Sequence, residues 1–208
     1  MGVLPGIGGI TGAGARRIAF RASATAGSTV TTIVIPSGAV VGDLGVLVEY
    51  GRIGPPPSAI PSGWTAIYNT ALGNMRVALS WKKLTSGDPG ATITGLNGPN
   101  GSGKVMFVFD VSSFSTVTGA ATANATEDNP TLETVPGAGK AVPHIIIGMS
   151  ASTSAGFNAS TGTFDATVTG GRVVAGYKIV DGVPANFDVD MDDGGVGNAV
   201  LGAYIIPQ

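Results

Sequence analysis

Three groups of residues in this 208-residue chain have types and spacing that chemistry could use. Gly98–Lys104 reads GPNGSGK, which fits G-x-x-x-x-G-K, the loop whose backbone N–H groups cradle phosphate ahead of a helix. Val105 stands where Ser or Thr would hold magnesium, and VMFVFDV after Lys104 is β-branched and aromatic. The segment therefore reads as a Gly-rich turn entering a strand. In FDVDMDDG, Asp188, Asp190 and Asp192 open like a calcium loop, a pattern of hard oxygen ligands. Asp193 replaces the loop's Gly, and Ala199 stands where its closing Glu would be, so this is not an EF-hand. Three carboxylates at i, i+2 spacing still share one strand face, with Cα atoms about 7 Å apart, and could bind calcium. The other reading is the solvated face of an edge strand. Trp64 and Tyr68 could form a platform on which a sugar stacks. Trp81 alternates with Val77 and Leu79 and belongs to a core instead.

Other chemistries lack parts. The single histidine, His144, is expected at a strand start, on the surface or at an interface. No G-x-S-x-G elbow occurs, and the three glutamates (Glu49, Glu127, Glu133) suggest no pair for glycoside cleavage. Cysteine is absent, which removes thiol catalysis and zinc–thiolate sites. The chain is expected not to be an enzyme and to need no cofactor, calcium being the one candidate ion. A net charge of −2 offers no basic field for nucleic acid. No apolar run of about 18 residues predicts a membrane helix. Arg16 and Arg17 follow the apolar N-terminal stretch, the reverse of a signal peptide.

The elements that must position these residues read as strands. Val77, Leu79 and Trp81 oppose Arg76, Ser80 and Lys82. Val173, Ala175, Tyr177 and Ile179 oppose Arg172 and Lys178. Strands are predicted near 18–24, 29–35, 44–50, 64–70, 75–84, 91–96, 104–111, 131–135, 142–150, 163–168, 172–180, 185–191 and 198–206. Gly, Pro, Asn and Asp punctuate them. Val105–Val111 and Ile145–Met149 are apolar on both faces, as central strands covered on both sides would be. No helical stripe and no internal repeat of fixed period is evident. The expected fold is an all-β antiparallel sandwich, one domain over residues 18–208, preceded by an extended Gly-rich arm over residues 1–17. Val3, Leu4, Ile7 and Ile10 would make that arm a contact to a neighbouring subunit.

The segments IPSGAVVGDLGVLVEY, IPSGWTAIYNT and MRVALSWKKLTSGDPGA carry a further pattern. They match at Pro36, Gly38, Gly42, Asp43, Pro61, Gly63, Trp64, Thr65, Trp81, Lys82, Gly87, Asp88 and Pro89. In these the chain resembles a β-sandwich module of bacteriophage virion proteins and some bacterial surface proteins. The resemblance implies a jelly-roll-like fold and a place in the virion: capsid decoration, head spike, fibre base or tail appendage. Its partners would be copies of itself and other virion proteins. It brings no catalytic residues. The alternative it leaves open is a carbohydrate-binding, adhesive module recognising host surface glycans. Charged residues make up 12% of the chain, against roughly 25% in an average domain. So little charge suits a chain whose surface is covered in an assembly.

Overall fold

The computed structural model describes residues 17–52, 60–72, 75–96, 102–111, 114–124, 131–132, 143–151, 158–161, 164–181, 188–190 and 199–208. Among them there is no helix, and every strand pairing is antiparallel. The arm, with Val3, Leu4, Ile7 and Ile10, lies outside the described residues.

The first half of the chain supplies β1 (Ala19–Ala26), β2 (Ile33–Val34), β3 (Leu44–Arg52), β4 (Thr65–Leu72), β5 (Met75–Lys83), β6 (Thr92–Ile93) and β7 (Gly103–Asp110). The second supplies β8 (Val117–Asn124), β9 (Thr131–Leu132), β10 (His144–Ala151), β11 (Asn158–Thr161), β12 (Ala166–Gly170), β13 (Val173–Val180), β14 (Asp188–Asp190) and β15 (Ala199–Pro207). One five-stranded sheet runs β1-β7-β3-β5-β4 and the other β12-β13-β10-β15-β8. Two small sheets, β2-β6 and β11-β14-β9, complete the set. Each predicted strand has a counterpart, several of them much shorter. The sequence reading missed β8 and β11. VTGAATAN in β8 has almost no large apolar side chain, because β8 is an edge strand that contributes small residues to the core.

The two large sheets face each other across one core, a sandwich-like arrangement. Val46, Val48 and Tyr50 of β3 and Phe107 and Phe109 of β7 meet Ile145, Ile147 and Met149 of β10, Tyr177 of β13 and Leu201 of β15. Tyr177 stacks on Phe20 with centroids 4.7 Å apart and meets Phe109 edge-on at 5.2 Å. β7 and β10 are buried on both faces, as their continuous apolar runs predict. Gly103 and Gly170 mark where β7 of one sheet and β12 of the other come too close for a Cβ at either position. A second apolar cluster lies on the outer face of the first sheet. There Leu47, Met106 and Val108 support Ile33, Ile35, Ile93 and Leu96 from the segments around β2 and β6.

Candidate functional site

The residues that carry the sequence pattern turn out to be turn staples. Asp43 is buried, and its Oδ2 accepts from the Val40 N–H at 2.7 Å and from Arg21 Nε at 2.6 Å. Arg21 also reaches Asp110 at 3.0 Å, tying β1 and β7 to the turn that starts β3. Gly42 in that turn has φ 92° and Gly63 before Trp64 has φ 78°, a region that glycine enters without strain. Asp88 Oδ2 accepts from the Thr85 N–H at 2.6 Å and the Thr85 hydroxyl at 2.7 Å, while Oδ1 takes the Lys82 ammonium at 2.6 Å. Burial alone would raise the Asp88 pKa, but the Lys82 and Thr85 bonds outweigh it and hold the carboxyl below its ordinary value.

A polar group that the sequence reading missed lies on the outer face of the first sheet. Glu49 of β3 stands directly opposite Lys104 of β7, and both are buried. Lys104 Nζ donates to the Val30 carbonyl at 2.6 Å and is 3.4 Å from Ser102 Oγ. Arg76 of β5, also buried, holds Asn69 Oδ1 through Nε at 3.2 Å and through its terminal nitrogen at 2.8 Å. Burial pushes the pKa values of Lys104 and Arg76 down, and the Glu49 charge opposes that shift at each. The signal in the sequence was a glutamate inside the apolar run GVLVEY, where a charge needs a partner. Lys104 is thus an internal brace. The residues that follow it, β7, form a strand as expected, so no helix N-terminus stands behind the glycines.

The other candidates do not converge. Trp64 packs on the outer cluster and Tyr68 on the main core, so the two rings do not form one platform. Asp188 and Asp190 lie on β14, which is the central strand of its small sheet rather than an edge strand. By register Asp188 faces Thr161, and Asp190 faces Asn158 and Thr131. Asp192 lies outside the described residues, within which no group of three or more His, Asp or Glu is placed to hold a metal ion. His144 does begin a strand, but it is buried and not at the surface. Its side of β10 alternates with Ile145 and faces away from the core, yet that outer face is itself covered. No helix among the described residues is long and apolar enough to cross a membrane. No protein-family model, curated protein or solved structure matches the chain.

Proposed function

We propose that this chain is a non-enzymatic structural subunit of a bacteriophage particle, a capsid decoration, head spike or fibre-base component held in the virion by contacts with its own copies and other virion proteins. The observation that carries the reading is where the charge goes. Asp43, Asp88, Glu49, Arg76 and Lys104 are buried inside the fold, and Arg21 and Lys82 are tied to the two aspartates as turn staples. The exposed large apolar side chains include Val30, Val34, Val40 and Val41, all in the segment that crosses the outer face of the first sheet. A surface relieved of charge and carrying valines favours subunit contacts over a free monomer. Of the jelly-roll-like fold that the resemblance implies, this reading keeps two facing sheets. A jelly roll is built from two Greek keys, whereas here each half of the chain fills a sheet of its own. The N-terminal arm, through Val3, Leu4, Ile7 and Ile10, is the proposed grip on a neighbour.

Purified chain is expected to form a defined oligomer by light scattering, and to cross-link into the particle of its source. Deleting residues 2–15 should lower incorporation at least several-fold while leaving the melting temperature unchanged. A chain that stays monomeric at high concentration and is missing from purified particles would falsify the proposal.

A further inference from the structure

Each large sheet is drawn from one half of the chain, and both follow one plan. Counted along the chain, β1, β3, β4, β5 and β7 are the long strands of the first half, and β8, β10, β12, β13 and β15 those of the second. Both sheets then read first–fifth–second–fourth–third. Antiparallel pairing throughout makes the strand directions agree as well. The short strands obey the same plan. β2 and β9 each fall between the first and second long strands, β6 and β14 between the fourth and fifth, and each pair is hydrogen-bonded. Among the described residues β11, in the second half, has no counterpart in the first.

The register sharpens the match. Val46 lies opposite both Trp81 and Phe107, and Ile147 opposite both Tyr177 and Ala203. Adding 96 to 81 and 107 gives 177 and 203; adding it to 93 gives 189. Ile93 pairs with Ile33, and Val189 with Leu132. One offset therefore carries β5, β6 and β7 onto β13, β14 and β15 without a gap. Under it Arg76, Val77 and Lys82 fall on Arg172, Val173 and Lys178, and Trp81 falls on Tyr177. Val46 and Ile147 are 101 positions apart rather than 96, so the offset changes between β3 and β5, which hides the repeat from any search for a fixed period along the whole chain.

The packing is reciprocal. β1 lies against β12 and β4 against β8, a first strand meeting a third on both sides of the sandwich. β7 lies against β13 and β5 against β15, a fifth meeting a fourth both ways. Such i-to-j and j-to-i contacts define an isologous two-fold interface. We infer that the chain is a tandem duplication of one seven-strand unit, its two copies packed inner face to inner face about a pseudo-two-fold axis, so that each inner face is a surface fitted to a copy of that unit. This goes beyond the assembly role and does not rest on it.

The axis makes a distance prediction. The step from Gln208 back to Arg17 must repeat the step across the junction between β7 and β8, whose six residues, 111–116, span at most about 20 Å. The chain lacks cysteine, so introduced pairs can be spin-labelled without background. Arg17→Cys/Gln208→Cys and Ser112→Cys/Ser115→Cys are expected to give similar short distances; a far longer 17–208 distance overturns the axis. A full-length circular permutant beginning at Ser113, with Gln208 joined to Met1, provides the second measurement. It is expected to melt cooperatively within about 4 °C of the parent, whereas a permutant opened at Ser86–Gly87, inside one copy, should lose clearly more. If the junction permutant loses as much as the internal one, or fails alone, the duplication is wrong.

Discussion

The outer faces of the two large sheets show how one backbone plan can be covered in two ways. On the first sheet Met106, Leu47 and Ser80 stand in a row across β7, β3 and β5. Leu47 and Met106 belong to a second apolar cluster that supports the overlying β2 and β6 segments. The matching row across β15, β10 and β13 is Gly202, Gly148 and Gly176. All three glycines are buried. With no side chains to rest on, Phe164 comes down onto the backbone, and a Cβ on Gly176 would lie 2.6 Å from its Cγ. The next row repeats the contrast. Lys104 and Glu49 of the first sheet correspond to Val200 and Ser150 of the second. One face is held by side-chain volume and buried charge, the other by close approach to the backbone.

The contrast breaks most sharply at the buried charges. Lys104→Met leaves Glu49 buried without its opposing ammonium and should cost about 3–5 kcal/mol in denaturant unfolding. Adding Glu49→Leu should recover most of that loss, because an apolar pair of similar volume is tolerated where one buried charge is not. A single substitution costing under about 1 kcal/mol would show that the row carries no electrostatic weight. Next in size is Gly176→Ala, which forces Phe164 away from the sheet and should cost about 1–3 kcal/mol. Ser80→Ala, at the matching position, should cost clearly less. If the two cost the same, the close approach of Phe164 does not hold that face.

A smaller effect separates the halves by pH. Asp88 staples a turn in the first half, and the residue 96 positions on is Pro184, which has no carboxylate. The pKa of folded Asp88 lies below its ordinary 3.8. Its contribution is therefore complete above that value and is lost as pH falls through the lowered one. Asp88→Asn should cost about 1 kcal/mol near neutral pH. The gap to the parent should close as the melting experiment moves below pH 3.8, the ordinary carboxyl value. A gap that stays constant to about pH 2 would mean that the carboxylate charge contributes nothing to the turn.

Much of the sheet architecture was legible because period-2 alternation survives wherever one face meets the main core, as in Val77–Leu79–Trp81 and Val173–Ala175–Tyr177. The outer faces were not legible. Arg76 and Ser80 read as the face opposite the core residues Val77 and Leu79, yet both are buried. The glycines divide: Gly42 and Gly63 are turn residues, while Gly148, Gly176 and Gly202 sit within strands predicted over them, and nothing local in sequence announces the contact of Phe164 with Gly176. His144 is buried where the sequence reading expected it on the surface or at an interface, because nothing local in sequence announces its cover. Of the candidate site, the motif residues Asp43 and Asp88 were visible as turn formers, while the Glu49–Lys104 opposition depends on pairing strands more than fifty residues apart.

The smallest prediction tests that last pairing from the other sheet. Ser150 occupies the place of Glu49, between Val174 on β13 and Val200 on β15, and its buried hydroxyl has no hydrogen-bond partner. A buried hydroxyl in that state has given up water without a replacement bond, so removing it should relieve a cost rather than create one. Ser150→Ala is therefore expected to be neutral or to stabilise by up to about 1 kcal/mol, opposite in sign to the loss at Lys104. A destabilisation above about 1 kcal/mol would mean that the second sheet's outer face also depends on a polar contact at this position, and the two faces would then differ in residue type but not in principle.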